Sequence, residues 1–150
     1  MLISLAYVGR AAMLATGVLL TVSASADEIG QIKVAQGQVA VVRDGRSLPG
    51  SVGSRLQISD VVTTGADGSV GITMSDDTLL SAGPNSVLSL ERYAFDPTTS
   101  RGRFDAALNK GTLAVISGRM TKQSADAMTV RTPAAVLGVR GTEFVVSAGD

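Results

Sequence analysis

Glycine breaks this chain into short pieces. Of its 17 glycines, all but Gly9 and Gly17 lie beyond residue 26, and they are spread rather than clustered. Gly37, Gly45, Gly50, Gly53, Gly65, Gly68, Gly83, Gly102, Gly111 and Gly118 each stand at the edge of a short apolar run. Glycine reaches positive φ without steric cost, so this spacing reads as turn punctuation. Asp44-Gly45 and Asp67-Gly68 are strong hairpin signals, and Pro49-Gly50 and Gly83-Pro84-Asn85 add further turns. A chain divided this way has room for strands and little room for helices.

The pieces between turns alternate. Val70, Ile72 and Met74 are separated by Gly71 and Thr73. Leu88 and Leu90, Phe104 with Ala106 and Leu108, Leu113 and Val115, Met128 and Val130, and Phe144 and Val146 repeat the pattern. A period of two places one set of side chains on one face of a strand. Val39 to Val42 is continuously apolar and reads as a strand buried on both faces. No amphipathic helix is expected beyond residue 26; the best candidate, Asp105 to Lys110, is short and stops at Gly111. The expected fold is all-β, with short strands in a rolled or solenoid-like stack, since a core short of aromatics must be built from thin aliphatic layers. No motif recurs identically, so an exact repeat is not expected.

The first 26 residues read differently. Arg10 precedes an apolar run from Ala11 to Val22, followed by Ser23-Ala24-Ser25-Ala26 and then Asp27-Glu28. That is the order of a secretory signal peptide, with Ala24 and Ala26 as the small residues of the cleavage site; an uncleaved anchor or a core helix is the alternative. The run is shorter than the ~20 residues a bilayer span requires. The expected organisation is therefore a helical signal segment over 1–26 and one β domain over 27–150. Its removal takes Arg10 from a chain of 13 basic and 13 acidic side chains and leaves one excess negative charge.

The residue types present exclude much chemistry. There is no Cys and no His. This removes disulfides, thiol nucleophiles, Cys-ligated zinc, the Ser-His-Asp triad and lipoprotein processing. A near-neutral balance argues against a nucleic-acid surface. Asp60, Asp67, Asp76 and Asp77 offer oxygens of the kind calcium takes, without EF-hand or nonapeptide spacing; turn caps and solvated edges are the favoured reading. Nothing in the spacing selects a glycosidase carboxylate pair, and no S-x-x-K, G-x-S-x-G or phosphate loop is present. Pro49 to Gly53 is a lone Gly-rich turn. Arg43/Arg46 and Arg101/Arg103 flank turns and read as solvated edges. No catalytic, cofactor or metal residues are expected.

Three stretches together resemble the FecR domain family. Ile58-Ser59-Asp60-Val61-Val62-Thr63-Thr64-Gly65 is similar to that family's G-D turn, with Ser59 where Gly is usual. Asp76-Asp77-Thr78-Leu79, Gly83-Pro84-Asn85-Ser86 and Tyr93 to Pro97 form the second, with Asp77 where the family's D-G-T has Gly. The most specific runs from Val130 to Phe144. In it Thr132, Pro133, Gly138, Val139, Arg140, Gly141, Thr142 and Phe144 follow the family's signature. The resemblance extends over about residues 37–146.

It implies a non-enzymatic exported domain, periplasmic or extracellular in a bacterium, that binds an envelope protein or signals. A structural surface module, or a fragment of a longer secreted protein, is the alternative. Regulators of this family usually carry a cytoplasmic anti-sigma segment, a full transmembrane helix and a further signalling subdomain; these residues include no counterpart, so anti-sigma activity is not expected to transfer. The signature residues are expected to be structural or partner-binding. Gly138 and Gly141 would permit a tight strand reversal, Arg140 would pair with a carboxylate or carbonyl, and Thr142 would bond the turn backbone. Phe144 to Val146 is expected to be an edge strand. The identity of the partner and the oligomeric state are not legible.

Overall fold

The structure, a computed structural model, describes residues 27–140 and 143–149. The signal segment with Ala24 and Ala26, and the signature residues Gly141 and Thr142, lie outside the described residues. The elements in chain order are β1 (Gly30–Gln36), β2 (Val39–Arg43), β3 (Arg46–Pro49), β4 (Arg55–Leu56), β5 (Val61–Thr64), β6 (Ser69–Met74), β7 (Leu79–Ala82), β8 (Val87–Phe95), β9 (Gly102–Ile116), α1 (Arg119–Gln123), β10 (Met128–Arg131), β11 (Val136–Gly138) and β12 (Glu143–Ala148). All strands join one sheet that curls into an open half-barrel.

The turn residues explain the curl. Four consecutive segments run antiparallel, and each bends once. In the first, β1 bends into β2 at Gly37 (φ 62). In the second, β5 bends into β6 through Gly65–Gly68. In the third, β7 bends into β8 through Gly83–Ser86. The fourth is β9 itself, bent at Gly111 (φ 95). On one side of the bends β2, β5, β8 and the first part of β9 pair in order; on the other, β1, β6, β7 and the rest of β9 do so. The result is two arms sharing one spine.

The bends are bonded to one another. Gly65 N donates to Gln38 O at 2.9 Å, Asn85 N to Gly65 O at 3.0 Å, and Gly83 N to Thr112 O at 3.0 Å. Side chains complete the line. Thr64 Oγ1 donates to Gly83 O at 2.7 Å and accepts from Ser86 N at 2.9 Å, while Thr112 N donates to the buried Ser86 Oγ at 3.1 Å. At Gly111 a Cβ would overlap Ser86 Oγ, so both the positive φ and the close approach demand glycine there.

The core fills the angle between the arms. The alternating sets Val70/Ile72/Met74, Leu88/Leu90, Phe104/Ala106/Leu108, Leu113/Val115 and Met128/Val130 all face inward and are buried, with Val146 buried and Phe144 packed against them. Phe104 meets Tyr93 edge-on, with ring centroids 5.3 Å apart. The expected burial of Val39 to Val42 on both faces does not hold. Only Val41 is buried, because β2 is antiparallel to both neighbours and its other face is only half-covered. Asp105 to Lys110 is strand, within β9. The helix is instead α1, five residues long, too short to leave a periodic signal in the sequence.

Candidate interaction surface

Among the described residues, the buried polar ones all come from the motif turns. Asp60, Asp76, Thr78 and Ser86 are each at most 1 % exposed. Asp60 sits where the chain enters β5. Its Oδ1 accepts from Arg43 Nε at 2.8 Å, and its Oδ2 accepts from Arg43 Nη2 at 2.7 Å and from Gln57 N at 2.8 Å. Arg43 Nη2 also donates to Arg55 O at 3.0 Å. This bidentate fork ties β2 to the start of β5 and to β4, and it raises the Arg43 guanidinium above its ordinary value despite partial burial.

Asp76 forms the second hub, in the turn between β6 and β7. Its Oδ1 accepts from Tyr93 Oη at 3.1 Å and Thr78 N at 3.2 Å; its Oδ2 accepts from Thr78 Oγ1 at 2.9 Å and, more weakly, from Met120 N at 3.4 Å. Asp76 N donates in turn to Tyr93 Oη at 2.9 Å, and Arg119 N to Asp76 O at 2.8 Å. Gly118 N reaches Thr78 Oγ1 at 3.1 Å. One turn thus fastens β8 and the start of α1. Burial pushes the Tyr93 hydroxyl well above its usual range, and the Asp76 charge adds to that. Asp60 and Asp76 are turn caps as expected, but not solvated edges. A buried carboxylate needs donors on both oxygens, and these two have them. Arg43 likewise is part of an interior pair rather than a solvated edge. The acids do not converge; among the described residues no three such side chains gather as metal ligands.

The third motif builds a hairpin and a groove. β10 runs parallel to β9 and antiparallel to β11. Thr132 and Pro133 lie in the turn between β10 and β11, where Thr132 N donates to Ala135 O at 2.8 Å and Ala135 N to Thr132 Oγ1 at 3.1 Å. This turn reverses the chain from β10 into β11; Gly138 sits at the end of β11 with open space around its Cα, and Gly141, its expected partner in a reversal, lies outside the described residues. Val139 is buried, its N–H donating to Met128 O at 3.0 Å. Gly138, Val139, Arg140 and Phe144 line one open groove with Leu137, Glu143, Val145 and Val146, of about 300 Å³. Thr132 and Pro133 lie outside it. Arg140 is exposed, and the expected carboxylate or carbonyl partner is not found among the described residues. The edge strand expected at Phe144 to Val146 is β12, which among the described residues pairs with β9 alone.

The sequence model described as FecR protein matches residues 60–150. The chain belongs to the FecR family. No curated protein and no solved structure matches it. FecR is a regulatory and signalling family associated with the bacterial cell envelope. The match begins at Asp60, so β1 to β4 precede it, whereas the sequence resemblance reached back to about Gly37. All four buried polar residues lie within it.

The two places where this chain departs from the family's glycines are structurally alike. Ser59 has φ 72 and Asp77 has φ 68, both in the left-handed region that favours glycine. An Asp tolerates that region better than Ala does. Asp77→Gly should therefore hold or raise the melting temperature and Asp77→Ala should lower it, by about 1 kcal/mol of stability, measured by thermal unfolding. Among the described residues no helix is long and apolar enough to cross a membrane.

The outward face of the first arm is charged. Asp105 accepts from Thr129 Oγ1 at 2.6 Å and pairs with Arg103 at 3.1 Å and Arg92 at 3.7 Å, and Arg131 pairs with Glu91. Burial alone would raise the Asp105 carboxyl, but the Thr129 hydroxyl and then the Arg103 guanidinium outweigh it and hold the group below its ordinary value. This face is satisfied by its own pairs.

Proposed function

We propose that the chain is an exported, non-catalytic domain of the cell envelope that signals by binding a partner protein through the groove between β11 and β12. The observation that carries this is the convergence of four signature residues, Gly138, Val139, Arg140 and Phe144, on one open groove beside a strand with one edge unpaired among the described residues. The buried motif residues are occupied in holding turns, which leaves the signature groove as the surface with recognition chemistry to spare. Arg140 supplies a planar donor fork suited to a carboxylate. Leu137 and Val145 supply apolar contact, and the β12 edge supplies backbone donors and acceptors for an added strand. Catalysis is not part of this reading, since the sequence lacks His and Cys and the family is a regulatory one. Export follows from residues 1–26, with cleavage after Ala26; mass spectrometry of the recovered protein should give Asp27 as its first residue.

The test is photocrosslinking in intact cells from a probe placed at Leu137. A discrete protein adduct is expected. Arg140→Glu should abolish it, and Arg140→Lys should weaken it at least several-fold, because an ammonium cannot reproduce the fork. A probe that yields no discrete adduct would overturn the reading.

A further inference from the structure

The outward face of the second arm is not charged like that of the first. Its five strands lie in the order β1-β6-β7-β9-β12. Two rows of outward residues cross it. Val34, Gly71, Ser81, Ala114 and Val145 form one, and Thr73, Leu79, Ile116 and Glu143 form the other. Val34 is 51 % exposed, Leu79 42 %, Ile116 43 % and Val145 65 %. Leu79 and Ile116 are cross-strand neighbours and Val145 lies diagonal to Ile116, while Val34 stands at the opposite border beyond Gly71 and Ser81. A contiguous exposed apolar patch on a sheet marks an interaction site.

The charges at its borders indicate the occupant. Lys33 stands at one side, brought outward together with Val34 by a bulge where the β1–β6 register shifts. Glu143 stands at the other side, four strand steps away, or about 19 Å. Neither has an ion-pair partner among the described residues; Lys33 Nζ donates only to the neutral Gln31 Oε1, at 2.7 Å. β7 lies midway. A two-fold axis along β7 would lay one copy's β1 border over the other's β12 border. Leu79 would meet Leu79, and each Lys33 would meet a Glu143. The face is self-complementary in charge.

We propose that this face docks a second copy of the same chain, sheet against sheet, as a weak reversible dimer. The contact spans five strands and would bury roughly 500 Å² on each copy, the low end of specific interfaces. It shares the β12 border, Glu143 and Val145, with the groove of Leu137 to Arg140, but its centre at Leu79 and Ile116 lies outside that groove, so it goes beyond the partner reading.

The experiment is sedimentation velocity on the full chain, purified as a bacterial host leaves it, from about 1 to 500 μM, a range set by so small an interface. A concentration-dependent dimer is expected. Leu79→Glu should leave a monomer across the range. Lys33→Glu alone and Glu143→Lys alone should each weaken the dimer about ten-fold, and the double exchange should restore it, with unchanged circular dichroism in every variant. All these side chains point to solvent, so the fold should not change. A monomer at every concentration, or a double exchange no better than the singles, would overturn the proposal. The Leu137 crosslink is unaffected by Leu79→Glu in either case, so the two readings fail separately.

Discussion

Asp76→Ala should cost this domain about 3–5 kcal/mol, a large part of what a domain this size has. The reason is what stays behind. Removing the carboxylate strands the Tyr93 hydroxyl, the Thr78 hydroxyl and the Thr78 and Met120 amides in a site closed to water. Each is left to bear its desolvation, and a cavity is added. The damage should spread along the bonds that leave the hub. β8 loses its tie through Tyr93, and α1 loses the acceptor facing Met120. Tyr93→Phe removes one hydroxyl and keeps the ring against Phe104, so it should cost about 1–2 kcal/mol. Asp76→Asn should fall between, since an amide supplies only one acceptor oxygen. Urea unfolding at constant slope measures all three. Equal midpoints for Asp76→Ala and the parent chain would show that the hub does not hold the fold.

Arg43→Met should cost about 2–4 kcal/mol. The methionine can fill the path of the arginine stem, but Asp60 remains in the interior with Gln57 N as its main donor. A buried carboxylate without its cation is the penalised state, more than the pair itself is a favoured one. The figure is set below that of a fully enclosed pair because the Arg43 side chain is 27 % exposed and water can reach part of it. Arg43→Lys should recover less than half, since an ammonium cannot satisfy both carboxylate oxygens and Arg55 O together. The double variant Arg43→Met with Asp60→Leu should be more stable than Arg43→Met alone. If it is not, the charge left behind is not what the single variant suffers from.

Much of the fold was legible because it rests on local rules. Alternation at Val70/Ile72/Met74 and Leu113/Val115 gave the inward face, and Asp44-Gly45, with φ 51 and φ 74, turns β2 into β3 as the pair of residues implied. What was missed depends on distant partners. Nothing in Ser59-Asp60-Val61 tells that Arg43, 17 residues earlier, closes over the carboxylate, and nothing in Asp76-Asp77-Thr78 tells that Tyr93 lies above it. An Asp followed by turn residues looks the same whether water or a tyrosine covers it. Val39 to Val42 misled because an apolar run does not report that one face looks outward. The signature points to one place in the fold, where four of its residues do meet, while the turn at Thr132 to Ala135 depends on a Thr132 hydroxyl contact that no residue type announces. Leu79 and Ile116 were passed over, although Leu79-Leu80 places an aliphatic on both faces of one strand, a sign available in the sequence.

The bent segments have one more consequence. A molecule with two sheet arms could be taken for two units, each able to melt while the other stands. Here every segment contributes to both arms, and β9 runs through both without interruption. Releasing either arm pulls on the same four bends and opens the shared interior to water. Partial states are therefore costly, and the architecture favours a single all-or-none transition in a chain that has no covalent crosslink to enforce one.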